Sequence, residues 1–290
     1  FSIAKPMTDI IETCLTIDAN NSQLKASQIL AEQTNLSQVK IKSAMQKGAV
    51  WLLRGKGKQR LRRASKALRI GDKIEINYNA QLLNQIVPEP LLVHDAQDYS
   101  IWFKPYGLNC QGSRWGDFAS INRWVETNQQ MFKTNLDRPV FLVHRLDRAT
   151  TGLILLCHGK TAARLFSEMF REGKVDKRYQ AIVHGDFSVL PQDYEMDQAL
   201  EGKASRSIFT FLDIKDECSL LDIKLLTGRK HQIRQHLSML GYPIVGDRLY
   251  GNSNEESRDL QLQSVSLRFT CPITQKKQYF KVDEHQRLEL

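Results

Sequence analysis

The run His144-Arg145-Leu146-Asp147-Arg148-Ala149-Thr150-Thr151-Gly152 places one carboxylate, Asp147, between two guanidinium groups. The apolar residues Leu153-Ile154-Leu155-Leu156-Cys157 follow directly and predict a buried strand. An acid held among bases at the mouth of a strand is placed where chemistry can use it, company that a solvated surface acid rarely keeps. Two later stretches add to it. In Lys177-Arg178-Tyr179-Gln180-Ala181-Ile182-Val183 a strand puts Tyr179, Ala181 and Val183 on one face, where the ring is either core or a flat stacking surface. In Leu226 to Leu237 a strand ends at Thr227-Gly228 and a helix begins, whose free N–H groups and basic residues offer an anion site. On that helix His231, Arg234 and Gln235 lie opposite Ile233, Leu237 and Leu240, as a polar face.

His144 and Asp147, three apart, also invite a metal reading, with His231 as a third ligand of a metal-dependent hydrolase. No further His/Cys/Asp cluster supports it, no Gly-x-Ser-x-Gly elbow is present, and His144 is assigned a structural or substrate-contact role. The five cysteines are odd in number and scattered, which supports neither a disulfide framework nor a zinc cluster and predicts a reducing compartment.

Apolar residues make up 41% and charged residues 25% of the 290-residue chain, an ordinary globular balance. No segment approaches the roughly 18–20 apolar residues of a membrane span, and no basic-then-apolar leader follows Phe1, so a cytoplasmic location is expected. The net charge of +9 is concentrated. Between Lys47 and Lys73 stand ten basic residues (Lys47, Arg54, Lys56, Lys58, Arg60, Arg62, Arg63, Lys66, Arg69, Lys73) and one acid, Asp72, so this segment carries the whole excess. Such a block fits a polyanion, and Gly55, Gly57 and Gly71 argue against a membrane-surface helix.

These groups need a scaffold of two domains. Residues 1–20 read as an extension and 21–80 as a small α+β domain. Leu24 to Glu32 shows a helical pattern. Ser37 caps a second helix with Ile41, Ala44 and Met45 on its apolar face and Gly48 as its stop. Strands Ala49–Leu53 and Lys73–Asn77 follow, the latter turning Ile74 and Ile76 inward. A linker over 81–90, with Pro88 and Pro90, leads to a domain over 91–290. Its strands are Leu91–His94, Ser100–Lys104, Gly152–His158, Arg178–His184 and Ser219–Leu226. Its helices are Thr161–Glu172, ending at Gly173, and Arg229–Leu240, ending at Gly241. Strands outnumber helices without regular alternation, which predicts an α+β fold with a mostly antiparallel, mixed sheet.

Taken in order, "HRLDRATTGLILL", "KRYQAIVHG" and "LLTGRKHQIRQHLSMLGYPIVGDRLYG", with the earlier "FKPYGL", resemble the motifs of RluA-type pseudouridine synthases. The likeness covers about Leu91 to Phe280. "KIKSAMQKGAVWL" and "ALRIGDKIEI" resemble a ribosomal S-four-type RNA-binding domain, an arrangement familiar ahead of such a catalytic domain. The resemblance implies conversion of uridine in structured RNA to pseudouridine, with no cofactor and no metal. It makes Asp147 the nucleophile, Arg234 its ion-pair partner and Tyr179 the ring that stacks on the target base. Arg145 would fill the space left by the flipped uridine. Residues expected to touch the substrate are Arg145, His144, Arg148, Arg229, His231 and Lys104. Lys47, Arg54, Lys56, Lys58, Arg60, Arg62, Arg63 and Lys66 are expected to meet RNA phosphates. Large-subunit ribosomal RNA is the expected substrate, with transfer RNA or a non-catalytic ribosome-assembly role as alternatives. A monomer without an obligate protein partner is expected. Lys230, and Arg148 with Ala149, depart from the family's usual residues.

Overall fold

Ser37 caps a helix as its position predicts: its Oγ accepts the Lys40 N–H at 3.3 Å, and the helix runs to Gln46 before Gly48 turns away at φ +80°. The computed structural model in which this is seen describes residues 10–132, 137–251 and 257–290. Two units divide the chain. The first holds the residues up to Val87 together with Gln111–Trp124; the second holds Pro88–Cys110 and everything from Val125 onward.

In the first unit β1 (Ile10–Thr16) precedes helices α1 (Ala26–Thr34) and α2 (Gln38–Gln46). Strands β2 (Val50–Arg54), β3 (Gly57–Arg60) and β4 (Lys73–Asn79) and the short helix α3 (Ala80–Leu83) follow. The sheet order is β1-β4-β2-β3, antiparallel throughout. Ile74 and Ile76 turn inward and share one core with Ile41, Ala44 and Met45 of α2. Residues 10–16 therefore belong to the sheet and not to an extension, because Ile11 and Leu15 pack on this core; residues 1–9 of the expected extension lie outside the described residues.

Gln111–Trp124 also departs from the expected boundary at 91. Asp117 takes Arg60 at 3.0 Å and also pairs with Arg62, while Trp51 Nε1 and Arg60 Nη2 donate to the carbonyls of Arg114 and Ser113 at 3.1 and 2.9 Å. Linear charge counting shows a basic block; it does not show that an acid some 55 residues away is folded against it.

The second unit is built on β5 (Leu91–Asp95), β6 (Tyr99–Lys104), β7 (Phe141–Leu142), β8 (Thr151–Cys157), β9 (Asp176–His184), β10 (Tyr194–Met196), β11 (Ser207–Lys215), β12 (Cys218–Leu225), β13 (Leu262–Thr270) and β14 (Lys277–Lys281). Helix α4 (Ile121–Thr127) contains the boundary between the units; α5 (Lys160–Arg171) and α6 (Gln232–Met239) belong to the second. The main path of the sheet is β10-β11-β12-β9-β13-β8-β6-β5, with β14 on β13 and β7 on β8. Every pairing is antiparallel except β13 with β8, so the fold is the expected α+β with a mixed, mostly antiparallel sheet. Helix α5 buries Ala162, Phe166 and Met169.

That one parallel junction matters for the site. Gly152, at φ +102°, lies so near β13 that an added Cβ would stand 2.2 Å from the Ser264 carbonyl oxygen. Only glycine permits this approach. It sets the chain just after Asp147 beside β13, whose Ser264 is in register with Tyr179 of β9.

Candidate active site

The loop carrying Asp147 is tied down on both sides of that residue. Ahead of it, Leu146 donates its N–H to Cys110 Sγ at 3.2 Å and accepts the thiol at 3.1 Å on its carbonyl. Behind it, the Arg148 carbonyl accepts Lys104 Nζ at 3.2 Å and the Gly107 N–H at 3.0 Å. The Asp147 carbonyl accepts the Thr150 N–H at 3.1 Å. The carboxylate itself remains 27% exposed, which leaves it accessible to a substrate.

Arg234 approaches from α6 with its side chain only 6% exposed. Its firm partner is Asp247, reached by Nε at 2.7 Å and Nη2 at 2.6 Å, a bidentate buried pair. The third nitrogen, Nη1, faces Asp147 Oδ2 at 3.5 Å. The expected pairing of Arg234 with Asp147 is present through this nitrogen, while the fork itself is taken by Asp247, which the sequence reading did not name. Burial works against charge on this guanidinium, but Asp247 and Asp147 outweigh it and its pKa is raised. Asp247 also accepts the N–H groups of Leu249 and Tyr250 at 2.9 and 3.1 Å. Its carboxyl is held low against burial by these bonds and by Arg234.

Tyr179 is 7% exposed, between Ile223 of β12 and Ser264 of β13. Burial, then the charge of Asp147, pushes its phenol well above the ordinary value, so the ring stays neutral across the working pH range. His231 stands just before α6 in the left-handed region, φ +52°. Its Nε2 faces Asp147 Oδ1 at 3.6 Å and its Nδ1 lies 3.0 Å from the Tyr250 hydroxyl.

A family model described as RNA pseudouridylate synthase matches residues 98–239. An uncharacterized RNA pseudouridine synthase of Bacillus subtilis, YjbO, is 32% identical over 211 residues, covering 69% of this chain and 74% of its own. The chain belongs to the RNA pseudouridine synthase family. A tRNA pseudouridine synthase C of Haemophilus ducreyi is 31% identical over 53% of this chain and 78% of its own. A ribosomal large subunit pseudouridine synthase C of Buchnera aphidicola is 28% identical over 71% and 69%.

Within this synthase unit, the structure brings Asp147, Tyr179, Arg234 and His231 together. It removes two residues from the expected substrate contacts. His144 accepts the Leu155 N–H on Nε2 at 2.9 Å and stacks on Phe170 with ring centroids 4.3 Å apart. Burial, with Lys177 adding to it, pushes its pKa down to about 3. It is a neutral group joining the Asp147 loop to β8, and its engaged nitrogen also breaks up the metal triad with Asp147 and His231. Among the described residues no cluster of three or more His, Cys, Asp or Glu could hold a metal, and no helix is long and apolar enough to cross a membrane. Lys104 is wholly buried, and its ammonium donates to the carbonyls of Pro105 (3.1 Å), Leu108 (2.9 Å) and Arg148 (3.2 Å). Burial lowers its pKa to about 8. It braces the turn beneath Asp147 and does not reach outward.

Arg145, Arg148 and Arg229 are exposed. Arg148 Nε is held by the Gly107 carbonyl at 3.1 Å and Arg229 Nε by the Ala204 carbonyl at 3.0 Å. Helix α6 starts at Gln232, three residues later than expected, because the Gln232 side chain takes the Arg229 N–H at 3.0 Å and holds 229–231 as a turn. Leu240 is only half-buried, and Arg234 is a buried group and not part of a solvated face. Asp247, Tyr250 and Cys110 were not singled out from sequence. Asp247 and Tyr250 lie in the third motif stretch, and that placement is the sequence feature that could have found them.

The first unit is a separate matter. Of its expected phosphate contacts, Arg54 is bound to buried Asp72 at 2.8 and 2.6 Å, and Lys58 to Glu75 at 2.8 Å. Arg60 and Arg62 are held by Asp117, Arg60 also lying 4.1 Å over the Trp51 ring, and Lys47 donates to the Leu83 carbonyl. Lys56, Arg63 and Lys66 are exposed. The basic block is therefore partly an internal ion-pair network, and the charge available to a polyanion is smaller than the sequence count.

Proposed function

We propose that this enzyme isomerises particular uridines of structured RNA, with Asp147 as nucleophile and large-subunit ribosomal RNA as substrate. The observation that carries the reading is the convergence of Asp147, Tyr179 and Arg234 from three distant segments onto one partly open carboxylate. In the reaction the N1–C1′ bond breaks, the C5–C1′ bond forms, C5 loses a proton and N1 gains one. Atoms and electrons balance without a redox partner. Arg234, with Nη1 3.5 Å from Oδ2, holds the carboxylate oriented beside the nucleoside. The neutral Tyr179 ring supplies a stacking floor, and its phenol serves as a hydrogen-bonding group and not as a standing phenolate. Exposed Arg145 suits contact with RNA distorted by extrusion of the base, a step that costs a few kcal/mol and least in a loop or bulge.

The first unit, with two helices between the first and second strands of an antiparallel sheet, supports an S-four-like RNA-binding role, with Lys56, Arg63 and Lys66 toward phosphate. The relative named for the large ribosomal subunit matches more of this chain than the one named for transfer RNA, which favours ribosomal RNA. The test is to incubate the protein with unmodified ribosomal RNA and with transfer RNA and map pseudouridine chemically. Wild type should form it at a few ribosomal positions and Asp147→Asn at none. Product from Asp147→Asn would remove the assigned nucleophile, and product on transfer RNA alone would remove the assigned substrate.

A further inference from the structure

Asp147 is addressed from two directions. Arg234 Nη1 faces one carboxylate oxygen at 3.5 Å and His231 Nε2 faces the other at 3.6 Å. Both contacts are longer than a strong hydrogen bond, so each guides the carboxylate largely by electrostatics and leaves oxygen lone pairs to a substrate. The side chains behind these contacts form a closed ring. Asp247 holds Arg234, and it also holds the backbone N–H of Tyr250. The Tyr250 ring lies 5.2 Å from the Arg234 guanidinium carbon, and its hydroxyl lies 3.0 Å from His231 Nδ1. The Tyr250 carbonyl is in turn held by Ser238 Oγ of α6 at 2.7 Å.

The tautomer of His231 follows from this ring. If the Tyr250 hydroxyl donates to Nδ1, the ring proton sits on Nε2 and points at the carboxylate. The opposite tautomer would aim a lone pair at an anion. Electrostatics selects the first. The backbone of His231 adds a second sign of a demanding position: a non-glycine residue at φ +52° is sparsely populated, and such residues persist where the surroundings fix them.

We propose that His231 is a second positioning residue for Asp147, with Tyr250 as the group that fixes its tautomer, so that the carboxylate is turned by an imidazole on one oxygen and a guanidinium on the other. This rests on Asp147 being the nucleophile. The role differs from that of an RNA-binding histidine: it acts on the orientation of the carboxylate and so on turnover, with substrate affinity left as it is. The charged and titratable groups facing the ring are Asp147, Arg234, Lys230 and Asp247, with Tyr250 at Nδ1. Burial and the two cations keep the ring neutral against the pull of the acids. On acidification the ring gains a proton and holds the carboxylate as an ion pair, so turnover should fall at low pH through His231.

The experiment compares His231→Leu, His231→Gln and Tyr250→Phe with Asp147→Asn, measuring kcat and KM on the RNA that wild type modifies, the pH profile of kcat, and thermal melting. His231→Leu should lower kcat about 10- to 100-fold, the scale of a misplaced reacting group, with KM within about twofold. His231→Gln keeps an N–H donor, should recover several-fold of that loss, and should lose the wild-type acid limb. Tyr250→Phe should lower kcat by a smaller factor with unchanged KM. A rise in KM with kcat preserved would assign His231 to RNA binding and overturn the proposal. Wild-type kcat in His231→Gln and Tyr250→Phe with an unchanged acid limb would also overturn it. Should His231→Leu melt early, those two variants decide. An inactive Asp147→Asn beside fully active His231 variants defeats this proposal alone, whereas an active Asp147→Asn defeats the nucleophile assignment beneath it.

Discussion

His144 offers a quantitative test because its role follows from one hydrogen bond. Nε2 accepts the Leu155 N–H at 2.9 Å, so protonating that nitrogen breaks the link between the Asp147 loop and β8. The folded-state pKa is about 3 against 6.5 for a free histidine, lowered by burial and then by Lys177. Between those values the unfolded chain binds the extra proton and the folded chain does not. The stabilisation is therefore complete above about pH 6.5 and is lost as pH falls toward 3. Integrating the two titrations from pH 8 to pH 5 gives a loss of about 2 kcal/mol from this residue alone. His144→Gln retains an acceptor for the Leu155 N–H and has no proton to gain; it forfeits the stack on Phe170, about 1 kcal/mol at every pH. Urea unfolding, followed by hydrogen exchange in the peptide Thr151–Cys157, should show wild type ahead at pH 8 and His144→Gln level or ahead at pH 5. A gap of equal size at the two pH values would refute the reasoning, since it would mean that Nε2 does not titrate with unfolding.

Three further outcomes are expected. Asp247→Ala strands the buried Arg234 charge and frees two backbone N–H groups, so it should cost about 3–5 kcal/mol in unfolding experiments and abolish turnover, while Asp247→Asn, which keeps one acceptor, should lose less stability. In the first unit, replacing Lys56, Arg63 and Lys66 by Gln should flatten the salt dependence of RNA binding by about 0.7–0.9 in log–log slope per lost phosphate contact. Replacing Arg60 and Arg62, which Asp117 already holds, should lower the melting temperature and leave that slope nearly unchanged.

Much of this protein was legible in the linear chain because it rests on local rules. Periodicity located α1, α2, α5 and the strands β5, β6, β8, β9 and β12, while the nine-residue strands β11 and β13 were not read from it, and Ser37 and Gly48 marked the ends of α2. The order of three motif stretches identified Asp147, Tyr179 and Arg234 as a set before their proximity was seen. What the chain alone did not decide was how each charge is spent. Lys104, Arg60 and Arg62 read as outward-facing groups, Arg234 as a partner of Asp147 and His144 as a structural or RNA-contact group, yet each is engaged by a partner that folding brings near: three carbonyls, Asp117, Asp247 and the Leu155 amide. The reason is physical. A buried charge or polar atom must find a counterpart, and the counterpart is fixed by the packing of the whole unit and not by neighbours in sequence. The same holds for Gly152, whose necessity appears only when β13 lies against β8. Residue type set the chemistry available to the site, and tertiary packing decided which of those groups stayed free to use it.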